Sequence, residues 1–121
     1  MSQPVAVVTA ADVERLVARD FALAERANVW ALLRSYGVES YEREVDRVRA
    51  ALLRVADGRV GALREAVRVA KEDYRDALVM AEYPLFWKRT AETPELPEYE
   101  RAELHAADRR QYEEWFHRAG P

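Results

Sequence analysis

The sequence predicts an all-α fold, a compact bundle of about four helices followed by a proline-tethered C-terminal helix. Three observations carry that expectation. Apolar residues recur at steps of three and four along most of the chain. Glycines and prolines fall where those stripes end, at Gly37, Gly58, Pro84 and Pro97. The only strand-like run, "VAVV" at Val5–Val8, has no partner run anywhere.

The first helix is expected from Thr9, a hydroxyl N-cap with Asp12 three residues on, to about Asp20, with Val13, Leu16 and Val17 as its apolar stripe. The second runs from about Ala22 to Tyr36; Val29, Leu32, Leu33 and Tyr36 share one face, and Gly37 follows as a C-terminal stop. The third begins after Ser40 and closes at Gly58, burying Val45, Val48, Leu52 and Val55. The fourth is the longest stripe, from Val60 to Glu82. At 3.6 residues per turn, Val60, Leu63, Val67, Ala70, Tyr74, Ala77, Leu78 and Ala81 fall within about 100° of one another. Pro84 is expected to stop it. A linker with three prolines, "YPLFWKRTAETPELPEY", leads to a fifth helix opening at Pro97, the favoured first position, and running to about Arg118. Residues 1–91 are thus expected to form the bundle core, and 92–121 an acidic linker and terminal helix of the same domain.

Composition narrows the chemistry. The chain has 121 residues, 50% of them hydrophobic and 34% charged, as in a globular domain. It has no cysteine, which removes disulfides, thiolate metal sites and cysteine nucleophiles. The N-terminus lacks the basic and apolar regions of a signal peptide, and no apolar run is long enough to span a membrane. The expected location is cytoplasmic. All but two of the 19 basic residues are arginine, the coding bias of a GC-rich bacterial genome. A net charge of −3 disfavours a dedicated nucleic-acid binder. The acidic excess lies in the second half, where Glu92, Glu95, Glu98, Glu100 and Glu103 cluster.

From about Val48 to Lys88 the chain resembles a family of small uncharacterised bacterial proteins. In that family a helix closing in an Asp/Asn-Gly turn, here Asp57-Gly58, precedes a long helix carrying "DYRD" and then "AE", here Asp73 to Asp76 and Ala81-Glu82. The resemblance implies a helical fold and no catalytic residues.

Four groups of residues invite a functional reading, each beside a plain structural one. Arg64, Arg68, Lys71 and Arg75 recur at 4, 3 and 4 on the fourth helix, while Arg43, Arg47 and Arg54 share a face of the third, opposite its buried stripe. Adjoining, the two rows would hold an anion; apart, they are solvated faces with local ion pairs. Asp73 and Asp76 are spaced to share a metal or couple their titrations, yet fit better as hydrogen-bonding groups, for instance capping the linker after Pro84. His105 has Asp108 at i+3, and Glu114 with His117 shows the Glu-x-x-His spacing of di-metal bundles. Only one copy exists, so no metal and no cofactor is expected. Finally, Tyr83, Phe86, Trp87, Tyr112, Trp115 and Phe116 form either a satellite core cluster, with the last helix folded back, or exposed partner-binding anchors.

The expected function is a non-enzymatic interaction or regulatory module binding another protein or itself through these aromatics. The alternatives are anion or nucleic-acid contact through the two arginine rows and, third, a metal-dependent enzyme.

Overall fold

The structure is a computed structural model and describes residues 7–120. It is built of α-helices, with no strand among the described residues. The helices are α1 (Ala10–Asp20), α2 (Arg26–Ser35), α3 (Val45–Ala56), α4 (Val60–Glu72), α5 (Tyr74–Glu82), α6 (Pro84–Glu92) and α7 (Glu98–His117), with one 3₁₀ turn at Leu23–Glu25. Of the strand-like run, Val5 and Ala6 lie outside the described residues, and Val7 and Val8 form no strand.

Central to the fold is α3, which packs against α1, α4 and α5. It buries Val48, Ala50, Ala51, Leu52, Leu53 and Ala56, far more of its circumference than one stripe. Val13, Leu16 and Val17 of α1, Val29 and Leu33 of α2, and Leu63 and Val67 of α4 close around it. Both sequence stops between these helices are real. Gly37 has φ +107, and a Cβ there would meet Val45 at 3.1 Å. Asp57 and Gly58 are both left-handed, at φ 50 and 77, and turn α3 into α4.

Several expected boundaries move: α2 begins at Arg26, after the 3₁₀ turn, rather than near Ala22, and α3 begins at Val45 rather than just after Ser40. The long fourth helix is two helices, because Asp73 is extended (φ −155, ψ 109) and its carboxylate accepts the Arg75 amide as the N-cap of α5. A short acidic side chain that bonds the amide two residues on competes with helix continuation. The apolar stripe still runs across the break, since both pieces lie on the same core. Pro84 does not end structure either. It occupies the first turn of α6, where its missing N–H costs nothing, so most of the expected linker is helical. Among the described residues there are therefore seven α-helices, not five.

The buried carboxylates Glu42, Glu82 and Asp108 are all paired. Arg47 of α3 grips Glu82 of α5 through Nε–Oε2 at 2.8 Å and Nη2–Oε1 at 2.6 Å, with the Glu82 side chain 2% exposed. The hydrogen bonds that Arg47 donates to Glu82 raise its pKa against the effect of burial. Between α2 and α3, buried Glu42 accepts the amides of Gly37, Val38 and Glu39 on one oxygen and the Lys71 ammonium on the other at 2.9 Å. Burial works against that carboxylate's charge. Bonds from the Glu39 amide, Lys71 and the Gly37 amide outweigh it and leave the pKa below the ordinary 4.5.

Removing one partner of the α3–α5 pair strands a buried charge, so Arg47→Met should cost about 3–5 kcal/mol in urea unfolding, a loss Arg47→Lys only partly avoids. Glu42 has its pKa depressed by folding, so its contribution is present above 4.5 and is lost as pH falls from there through the folded value. The stability gap between wild type and Glu42→Gln should be widest near pH 7 and shrink below 4.5; a gap independent of pH refutes the role.

Candidate functional site

Little of α6 and the first half of α7 is buried, and the two pack on each other as a two-helix arm. No residue of α6 is buried, and none of α7 is before Asp108. The helices run antiparallel, with Leu85 and Phe86 level with Asp108 and Arg89 level with Glu100. Pro84 has no amide hydrogen, so Leu85 and Phe86 carry the first free N–H groups of α6. Both are taken by the fully buried Asp108 carboxylate, one per oxygen, at 3.0 Å. A negative charge at a helix N-terminus is favoured by the helix dipole as well as by these bonds. Farther out, Arg89 pairs with Glu100 at 2.9 Å, and Leu96 is buried at the turn. His105 stacks on Phe86 at 4.3 Å and meets the edge of Tyr83 at 5.7 Å.

The six aromatics divide. Tyr112, Trp115 and Phe116 belong to the main core, 1%, 9% and 4% exposed. The last helix folds back, but these three join the main core and not a satellite cluster with Phe86 and Trp87. Arg15 lies over the Phe116 ring, Arg19 over Trp115 and Arg54 over Tyr112, at 5.0, 5.2 and 5.5 Å. The Tyr112 hydroxyl is buried without a hydrogen-bond partner, and burial followed by the charge of Glu82 raises its pKa. Tyr83 and Phe86 are half-buried around His105. Trp87 alone of the six is open, at 59%. Other exposed large apolar side chains went unremarked as anchors in the sequence: Val7, Leu23, Val38 and Tyr41 in the N-terminal half, and nearer the arm Met80 on α5 at 47% and Tyr99 on α7 at 69%. The signal for Met80 and Tyr99 was their position off the apolar stripes.

The two basic rows do not form one site. Arg47 and Arg54 point inward toward α5 and α7 rather than away from the buried face of α3. Arg47 is held by Glu82, and Arg54 donates to the Ala81 carbonyl at 2.6 Å. On α4 and beyond, Arg68 is paired with Glu65 and Glu72, Lys71 with Glu42, and Arg75 with Asp73. Only Arg43 and Arg64 of the seven carry no ion pair or side-chain hydrogen bond among the described residues. Asp73 caps α5, not the segment after Pro84, while Asp76 is exposed. Glu114 and His117 are both exposed, and no group of three or more potential metal ligands exists among the described residues. No described helix is long and apolar enough to cross a membrane.

Comparisons with protein-family models, with curated proteins and with solved structures gave no match to this chain.

Because Asp108 satisfies two α6 amides at once, Asp108→Ala should cost about 1–2 kcal/mol and accelerate hydrogen exchange at Leu85 and Phe86 well beyond that of the α3 amides. Unchanged exchange at those two positions would show that the arm is held by its other contacts.

Proposed function

We propose that the chain is a non-enzymatic protein-binding module that engages its partner through the α6–α7 arm, with Trp87 as the anchor. The observation that carries this reading is the contrast between the arm and the rest of the molecule. Outside the arm the aromatics among the described residues are buried or half-buried except Tyr41, at 63%, whereas the arm carries an indole 59% exposed and Tyr99 at 69% on segments that bury little. Tryptophan is among the residues that dominate interface energetics, because a rigid apolar body is buried at low entropic cost. The anion-binding alternative is weaker, since five of its seven cations are already engaged within the chain.

Deleting residues 92–121 is not a clean test, because Tyr112, Trp115 and Phe116 are core residues. A point change is. Trp87→Ala should leave the unfolding midpoint nearly unchanged while weakening partner binding by at least about 2 kcal/mol, roughly 30-fold. Affinity capture from the source organism's lysate, comparing wild type with Trp87→Ala, reads the loss. Sedimentation of the two proteins over a range of concentrations identifies the case in which the partner is a second copy. Equal capture and equal sedimentation would remove Trp87 as the anchor.

A further inference from the structure

On elements that take no part in the arm, α1, α2 and α3 enclose a groove of about 440 Å³. That volume lies within the roughly 300–1,000 Å³ of small-ligand sites. Its floor is apolar: Val13 and Val17 of α1, both almost fully buried, with the half-buried Trp30 of α2 beside them. The walls carry three guanidinium groups, Arg26 and Arg34 from α2 and Arg49 from α3. None forms an ion pair among the described residues, unlike Arg47, which Glu82 neutralises.

Two of the three are fixed in place. Arg26 donates to the carbonyls of Phe21 and Ala18 at 3.1 and 3.0 Å, and Arg49 to those of Leu33 and Tyr36 at 3.0 and 2.8 Å. Carbonyls orient these groups without neutralising them. Arg34 is exposed and rests over the Trp30 ring at 5.2 Å. Burial lowers the Arg49 pKa, Asp46 opposes it, and the charge of Arg34 adds a smaller lowering; the lining carries three guanidinium groups against two carboxylates, Glu14 and Asp46. Of the two carboxylates on the groove, Asp46 lies in the first turn of α3, where the helix dipole accounts for it. Glu14 stands on α1, across from the α2 wall.

We infer that this groove binds a small amphipathic anion, a carboxylate or phosphate ester with a planar apolar body. The charged head would lie against Arg34 and Arg49, and the body against Trp30, Val13 and Val17. A bare inorganic anion would use only the head contacts, and a neutral aromatic only the floor. Both should bind more weakly than a molecule with the two parts joined.

The test is calorimetric titration of the full chain with 1-naphthoate and with 1-naphthyl phosphate, beside 1-naphthalenemethanol and inorganic phosphate. At least one charged naphthyl probe should bind at a single saturable site about tenfold more tightly than either control, and shift the Trp30 indole resonance; which one does so identifies the head group. Arg34→Glu should weaken that probe about tenfold or more, and Arg34→Lys should retain part of the affinity. Arg34 is exposed and donates no hydrogen bond, so both variants should keep the wild-type unfolding midpoint. No binding by either charged probe, equal binding by the alcohol or by inorganic phosphate, or an affinity unchanged in Arg34→Glu would overturn the assignment. Because Trp87→Ala leaves the groove intact, its binding of these probes should equal that of wild type, which keeps this result separate from the fate of the arm.

Discussion

The closing carbonyls of four helices accept from an arginine that belongs to another part of the chain: α1 from Arg26, α2 from Arg49, α5 from Arg54 and α7 from Arg19. An α-helix leaves its last four carbonyls and first four amides without partners in the helix. Short helices, such as the nine-residue α5 and α6, are therefore largely made of unsatisfied ends. In this domain those ends lie close to the core, where water cannot serve them all. Side chains from neighbouring elements do so instead, with guanidinium groups at C-termini and carboxylates at the N-termini of α5 and α6. Most of the other packing follows from this demand.

One consequence is cooperativity across long sequence separations. Arg19, steered by Asp20, donates to the Trp115 carbonyl at 2.6 Å and so ties α1 to the end of α7. Arg54 bonds α5 while covering the Tyr112 ring of α7, and Asp108 of α7 begins α6. Of these helices α1, α5 and α6, of 11, 9 and 9 residues, are too short to be stable alone in water. Each is completed by a residue that is itself positioned by a different helix.

A second consequence concerns charge. Arginine is abundant here, yet much of it serves as internal scaffolding, which leaves little of either basic row for an anion. What remains open is of two kinds. The arm presents an exposed indole on α6, none of whose residues is buried, suited to a macromolecular partner. The α1–α2–α3 groove presents cations held by carbonyls above an apolar floor, suited to a small anion. The two lie on different elements.

The sequence by itself determined the helical class, the α1 N-cap at Thr9, the turns at Gly37 and Gly58 and most of the buried stripe, because these follow from local sterics and from apolar periodicity. It also carried the exposed positions of Met80 and Tyr99, as apolar residues off the stripe. Tertiary structure alone decided that Asp73 interrupts the long helix and that Pro84 opens α6, since the same residue types are compatible with either outcome until a neighbour is present to accept or donate. It alone decided that Arg47 and Arg54 point inward, because their acceptors, Glu82 and the Ala81 carbonyl, lie 35 and 27 residues away. The aromatics of α7 became core and Trp87 did not for the same reason. Periodicity says which side chains share a face, and only the packing of one helix on another says what that face meets.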